Sequence, residues 1–259
     1  MKNKIYLSIL VIMIMSTSAY SGEILIASGH NEYPPFMWKE GKKIVGVGAE
    51  LTSIIFGELG IKVNSIYIGP WKRLQKNAKT GEIDLILGIY KNEERLKYLI
   101  YPAESYTSDP VVIFVVKGKS FPFTQWKDLM GKQGGAIIGD SFGQKFDSYA
   151  ESNLDIYKVK QIKQAFEMMT LGRLEYVICG LYTGRIHMIE MGLKNEIEYL
   201  SKPVVTPLAY QAFSKESKFI RHIPYFNKRI AELKVDGTIG KLIEKHMAYW
   251  EKTLEVKKQ

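Results

Sequence analysis

One short unit occurs twice in this chain, and a chain that repeats a helix–glycine–strand junction has few folds open to it. Residues 81–88 read GEIDLILG and residues 172–180 read GRLEYVICG. Each copy starts with the glycine that ends a helical pattern, Trp71 to Lys79 in one case and Gln161 to Leu171 in the other. An acid follows three residues later, Asp84 or Glu175, and an apolar run then leads to Gly88 or Gly180. Glycine accepts the left-handed conformation that closes a helix. An unbroken apolar run suits a strand buried on both faces of a parallel sheet. A single copy would fit any α/β domain; two copies with matched acids predict two similar α/β lobes. Ligands of open α/β sheets sit beyond the carboxyl ends of the strands, so two facing lobes would enclose a cleft.

The N-terminus has the plan of a secretory leader. Lys2 and Lys4 precede an apolar stretch from Ile5 to Met15, and small and polar residues follow from Ser16 to Gly22. Ala19-Tyr20-Ser21 is the expected cleavage tripeptide, which makes residues 1–21 a signal peptide and the mature protein periplasmic. The apolar stretch falls short of the roughly 20 residues of a membrane span, so an uncleaved anchor is the lesser alternative. The single cysteine, Cys179, excludes an intramolecular disulfide, and its apolar strand suits a buried, inert thiol better than a nucleophile. The formal net charge of +9 comes from scattered Lys and Arg rather than from an aromatic–basic tract. That pattern speaks against nucleic acid and for a solvated surface, with a mild preference for anionic ligands. His30, His187, His222 and His246 are too far apart for metal-ligand spacing, and neither a Ser–His–Asp signature nor a GxxxxGK phosphate loop occurs. No cofactor or metal is expected.

Glu23 to Ser28 reads as a first buried strand, followed by the loop GHNEYPPFMW. A helical pattern from Gly46 to Gly60, a strand from Ile61 to Ile68 and a helix opened by Pro70 and Trp71 lead to the first repeated unit. After it come a short helical stretch, NEERLKYL, and the β-branched run VVIFVV. A second succession then begins: a helix near FTQWKDLMG, the strand GAIIG, a helix from about Phe142, a strand around Ile156 to Val159, the second repeated unit, and a helix near Arg185 to Met191. The tail from Glu216 to Trp250 reads as helical. Extended passages near 108–114 and 201–208 bracket an inserted lobe. The predicted division is 22–107 with 208–259 for one lobe and 108–207 for the other, joined by a two-strand hinge.

The motifs YPPF (Tyr33 to Phe36), GVGAEL (Gly46 to Leu51), DLILGIYKNEER, WKDLMGK, GDSFG (Gly139 to Gly143), GRLEYVI and DGTIGKLIEKH follow one another in family order. In this the chain resembles the family 3 bacterial extracellular solute-binding proteins over nearly all of residues 23–250. The resemblance implies an α/β, two-lobed periplasmic-binding-protein fold of type II, with two open sheets joined by a two-strand hinge. It also implies a monomer that closes on a small solute and delivers it to an inner-membrane ABC permease.

The candidate ligand residues are His30, Tyr33, Trp71, Tyr90, Arg95, Ser141, Phe142 and Gly180. Arg95 follows the first lobe's repeated strand, where a guanidinium would clamp a carboxylate through two parallel hydrogen bonds. It matches the Arg that the resemblance assigns to a ligand carboxylate; the alternative is a surface Arg paired with Glu93 or Glu94. The Gly139–Gly143 loop lies between a strand and a helix, where backbone N–H groups and the Ser141 hydroxyl would attract an anion or simply cap the helix. Tyr33, Phe36, Trp38 and Trp71 offer an aromatic wall, or core plugs, Phe36 above all. His30 is a donor to the ligand or a bystander in the same loop. At Gly180, amino-acid-binding members of the family carry an Asp for the ligand's ammonium. A buried ammonium without a counter-charge costs several kcal/mol, so the expected ligand is an anionic or carboxylated solute without an α-ammonium, unless an acid such as Asp140 or Glu50 reaches the site. The alternatives to a binding protein are an exported, dehydratase-like enzyme on the same scaffold, with His30, Glu50, Asp140 or Cys179 as the acid or base, or a sensor signalling in trans. Exported material should begin at about Gly22 by intact mass; full-length chain in the membrane fraction would refute the leader.

Overall fold

A computed structural model describes residues 22–256, so the leader expected over 1–21 lies outside the described residues. Helix Trp71–Lys79 is followed by Gly81 at φ 75°, and helix Ile162–Thr170 by Gly172 at φ 73°. These are left-handed conformations that a side chain would strain. Each junction then enters a strand buried along its whole length, Leu85–Tyr90 and Tyr176–Gly180.

The two strands take equivalent places in two sheets. The first sheet runs in the order Lys62–Ser65, Ile24–Ser28, Leu85–Tyr90, Leu208–Ser214, Leu99–Ile100, with Thr107–Ser108 also paired to Leu208–Ser214. The second runs Asp155–Val159, Gln133–Ile137, Tyr176–Gly180, Val111–Val116, Ile197–Tyr199. In both, the repeated strand has a parallel neighbour on one side and an antiparallel one on the other. The architecture is the two-lobed α/β fold of the periplasmic binding proteins.

The matched acids also do matched work. Asp84 Oδ2 accepts the Ile26 N–H at 2.8 Å, and Glu175 Oε1 accepts the Gln133 N–H at 3.1 Å. Each carboxylate takes a main-chain donor from the neighbouring parallel strand. Asp84 holds a second donor, the Ser217 hydroxyl at 2.8 Å, and so ties the C-terminal segment to the first sheet. Beneath that sheet Phe56, Phe213, Phe219 and Phe226 are fully buried against one another. The second lobe has its own core around Phe114 and Phe166, with ring centroids 5.4 Å apart.

The backbone passes from the first sheet to the second between Ser108 and Val111, and returns between Tyr199 and Leu208. The two passages are bonded to each other: Asp109 N–H to Pro207 O at 3.1 Å, Val111 N–H to Val205 O at 2.9 Å, and Val204 N–H to Val111 O at 2.8 Å.

Two local expectations change. The presumed loop GHNEYPPFMW contributes Glu32–Tyr33 and Met37–Glu40 to a three-stranded antiparallel sheet completed by Lys43–Val45. Strands this short carry too little alternation to register in a sequence. The WKDLMG helix is a single 3-10 turn, Trp126–Leu129, closed by a capping box between Gln125 and Asp128. The tail is helical as expected, in the pieces Lys218–His222, Ile223–Val235 and Thr238–Val256. Its last helix covers the small sheet, with the Tyr249 ring stacked on Trp38, so Trp38 belongs to this packing and not to a cleft wall.

Asp84→Ala should lower stability by about 1.5–3 kcal/mol, the usual worth of hydrogen bonds to a charged group, read as a lower urea midpoint. Glu175 is exposed, and its removal should cost visibly less.

Candidate functional site

The carboxyl ends of both repeated strands face the space between the lobes, and a small cavity of about 40 Å³ lies there. Seven of the eight candidates line it: His30, Tyr33, Trp71, Tyr90, Arg95, Ser141 and Phe142. A wider groove of about 880 Å³ opens outside it, sharing Arg95, Asp140, Ser141 and Phe142 as the common wall.

Arg95 sits on the short helix Glu93–Leu96, whose N-cap Asn92 accepts the Arg95 N–H at 2.8 Å. The side chain is only 4% exposed, which rules out the surface alternative; Glu94 pairs with Lys79 instead. Its Nη1 donates to Tyr90 O at 2.8 Å and its Nη2 to Gly139 O, in the other lobe, at 3.2 Å. Trp71 Nε1 donates to the same Gly139 carbonyl at 3.2 Å. Asn92 Nδ2 donates to Ser141 Oγ at 2.9 Å, and Thr183 Oγ1 to Pro34 O at 2.9 Å. The cleft is therefore latched by direct bonds between the lobes, and Arg95 forms no ion pair among the described residues.

The Gly139–Gly143 loop spends its donors internally. The Ser141 hydroxyl donates to Asp147 Oδ2, and the Phe142 N–H donates to Asp147 Oδ1 at 2.8 Å. Asp147, in the first turn of helix Gln144–Asn153, is the anion that this loop holds. Asp140 beside it is half-buried, with its carboxyl pushed up to about 6 by burial against the pull of Lys158 and Arg95.

His30 is buried between Trp71 and Tyr33, at ring-centroid distances of 5.3 and 5.9 Å. Burial lowers its pKa to about 3, so the ring is neutral. Its Nδ1 accepts the Glu32 N–H at 2.9 Å, which places the ring proton on Nε2. That Nε2 is buried without a partner. The Tyr106 hydroxyl, also on the cavity wall, is unpartnered too.

Gly180 does not line the cavity. A Cβ there would collide with the Tyr33 hydroxyl and with a carboxylate oxygen of Asp109, a residue sequence reasoning passed over. Asp109 is 0% exposed, and its Oδ2 accepts both the Tyr33 hydroxyl and, at 2.9 Å, the Tyr90 hydroxyl. The two tyrosine oxygens are also in hydrogen-bonding contact with each other. Asp109 Oδ1 has no partner. Burial, offset in part by the tyrosines, brings the carboxyl up to about 6. The sequence left open whether an acid reaches the Gly180 region, and one does: it comes from the first passage between the sheets, inside SYTSDP, where an Asp-Pro pair looks like an ordinary strand entry. Neither acid proposed for the role stands there. Glu50 is bound to Lys245 at 2.7 Å and His246 at 3.0 Å, and Asp140 lies at the Arg95 end. Cys179 is buried and its thiol pushed up by burial, as expected of an inert group. Phe36 is the core plug expected of it. Among the described residues no cluster of His, Cys, Asp and Glu has the form of a metal site.

A family model described as "Bacterial extracellular solute-binding proteins, family 3" matches residues 25–249. The chain is 21% identical over 239 residues to a probable amino-acid-binding protein, YxeM, of Bacillus subtilis, covering 89% of this chain and 86% of that one. Among solved structures, a variant of ArgBP from T. maritima superposes with a TM-score of 0.72 at 24% identity, over 87% of this chain and 95% of that one. A histidine kinase sensor domain described as similar to periplasmic binding proteins gives a TM-score of 0.72 at 21% identity, over 88% and 96%.

The Asp109 carboxyl has an ordinary value of 3.8 and about 6 when folded, so the native state holds more protons between these values. Its contribution to stability is therefore greatest below the lower value and is lost as pH rises through the higher one. Asp109→Asn removes that loss and keeps an acceptor for the tyrosines. Without ligand, the variant's stability relative to wild type should rise between pH 4 and 7 by on the order of 2–3 kcal/mol. A flat difference in calorimetric melting across that range would contradict the assignment.

Proposed function

The chain belongs to the bacterial extracellular solute-binding proteins, family 3, and on that premise we propose that it captures a small carboxylated solute between its lobes for an ABC importer. The observation that carries this reading is Arg95. A guanidinium at 4% exposure whose acceptors are two main-chain carbonyls is a buried cation with no ion-pair partner among the described residues, and the carboxyl that feels it, Asp140, is itself pushed up to about 6 by burial. Such a charge is costly until an anion meets it, and a carboxylate fits its planar fork. The His30 Nε2 proton and the Tyr106 hydroxyl supply further unspent donors on the same wall.

The cavity holds little more than a water molecule's share of volume, so a solute enters only when the lobes part. The proposed lobes are 22–107 with 208–259 and 108–207, and the bonded passages near Asp109 and Val205 are the proposed hinge. Opening breaks the bonds from Arg95 and Trp71 to Gly139 and from Asn92 to Ser141. Closing over a ligand replaces the first with bonds to its carboxylate. The protein acts in this reading as an exported monomer that binds without chemistry. The name of the Bacillus subtilis relative, a probable amino-acid-binding protein, supports a carboxylated solute as the class to test.

Native mass spectrometry of protein purified without refolding identifies any retained ligand, and calorimetry then measures its affinity. Arg95→Ala should weaken binding by at least about thirtyfold, as expected when one partner of a buried charged pair is removed. An unchanged dissociation constant would overturn the role of Arg95.

A further inference from the structure

A second seam joins the two α/β units, away from Arg95. Pro34 O accepts the Thr183 hydroxyl at 2.9 Å, and the Phe36 ring meets Tyr182 edge-on, with centroids 5.7 Å apart. Glu32, on the small three-stranded sheet, lies half-buried in this seam, facing the helices Ile162–Thr170 and Leu181–Glu190. The groups that act on its carboxyl from those helices are His187, Lys163, Glu190 and the Ile162 N–H, and His30 shares its own loop. The three side chains are already committed to one another: Glu190 Oε2 holds Lys163 Nζ and His187 Nδ1, each at 3.0 Å. Glu32 forms no ion pair among the described residues. A His187 Nδ1 that donates to a carboxylate leaves Nε2 as the ring's second proton site, and that Nε2 is buried without a partner. The seam thus holds a carboxylate without a cation of its own beside an imidazole nitrogen without a donor. It is one proton short.

We propose that Glu32 is a positioning residue for closure, and that the lobes come together with uptake of one proton shared between Glu32 and His187. This rests on the reading of a cleft that opens and closes, and adds to it a gate remote from Arg95. Either placement of the proton favours the closed form. On Glu32 it removes a charge from the seam; on His187 it sets a cation opposite that charge. Burial, aided by Glu190, holds the Glu32 carboxyl above its ordinary 4.5 against the pull of His187, Lys163 and the Ile162 N–H. When the lobes part, the carboxyl regains water and returns toward the ordinary value. The closed form therefore binds more protons than the open one. Its advantage is fully present below 4.5 and is lost as pH rises through the raised value. Acid closes this cleft and alkali loosens it. His30, neutral because burial takes it down to about 3, adds no charge over that range. Two other acids, Asp109 and Asp140, are raised to about 6. Asp109 holds Tyr33 and Tyr90, and Asp140 lies at the Arg95 end, so each is separable from Glu32 by its own substitution.

Closure can be followed with no solute present. Nitroxides at Lys145→Cys and Lys228→Cys, exposed positions on the two proposed lobes, report the interlobe distance by double electron–electron resonance, with the buried Cys179 left in place. In wild type the closed-to-open ratio should fall at least about threefold as pH rises from about 4.5 to about 8. The shift should persist in an Asp109→Asn, Asp140→Asn background, where the other two raised acids no longer titrate. Adding Glu32→Gln should abolish it there and hold the distribution at its acid form. Glu32→Gln alone should melt as high as wild type at neutral pH. His187→Gln, which keeps a donor for Glu190, should at least halve the response, and an undiminished one would overturn the sharing. A merely structural Glu32 predicts a lower melting point for Glu32→Gln with the pH response intact, and that result would overturn the gate. So would a response that vanishes in the Asp109→Asn, Asp140→Asn background. Two distances whose populations ignore pH would remove the gate and leave the opening cleft standing. A single distance under every condition would count against both.

Discussion

The buried Asp109 carboxylate is the point at which the chain's two halves and the cleft wall meet. Its backbone N–H bonds the returning passage at Pro207, and its side chain holds Tyr33 from the early loop and Tyr90 from the end of the first repeated strand. Three segments far apart in sequence are thereby fixed around one charged group. The positions of His30 and Trp71 follow, because His30 packs between Trp71 and Tyr33. An ionised group at zero exposure is an expensive way to join segments, since hydrophobic contacts would do it with less desolvation.

The cleft groups bond to one another. Gly139 O accepts from both Arg95 and Trp71, and Asp147 satisfies the Ser141 loop. The two pairings differ in kind. Asp147 lies five and six residues from its donors and belongs to the same sheet-and-helix unit. Gly139 faces Arg95 only while the lobes are together. The loop is therefore a structural cap, while Arg95 is an exchangeable contact only on the proposed reading, although both looked equally suited to an anion from their sequence. Affinity for a solute is the difference between its bonds and these internal ones, and small differences set which arrangement is populated.

Most of the fold was legible because its signals are local. A glycine after a helix and an apolar run before the next glycine fixed both repeated strands, and the acids at matched spacing proved to be matched strand ties at Asp84 and Glu175. The three-stranded sheet at Glu32–Tyr33, Met37–Glu40 and Lys43–Val45 was illegible, since it depends on pairing and on the cover of the Thr238–Val256 helix more than on any alternation of its own. In the cleft, Arg95 and the aromatic residues could be named from their place after strand ends. What those residues touch could not. Glu50 looked free until its partners, Lys245 and His246, arrived from the last helix. Asp109 carried no local signal, as an acid before a proline at the start of a strand is ordinary.

Gly180 shows why a single position is a poor witness to a ligand. Read alone, it removes a charge that the cleft would need. Read with its neighbours, it is the consequence of a charge supplied from elsewhere: any side chain at 180 would collide with Tyr33 and Asp109. The two positions are physically exclusive, so an acid at 180 and the Tyr33–Asp109–Tyr90 arrangement cannot coexist on this backbone. Introducing Asp at 180 would therefore not restore an ordinary site. It would put a second carboxylate against one already buried, and like charges that close raise one another's proton affinity until one is neutral. A functional exchange would need Asp109 to be lost in the same step, with Tyr33 released from its bond. The charge in front of Gly180 belongs to the passage between the sheets and touches the cavity wall only through the two tyrosines.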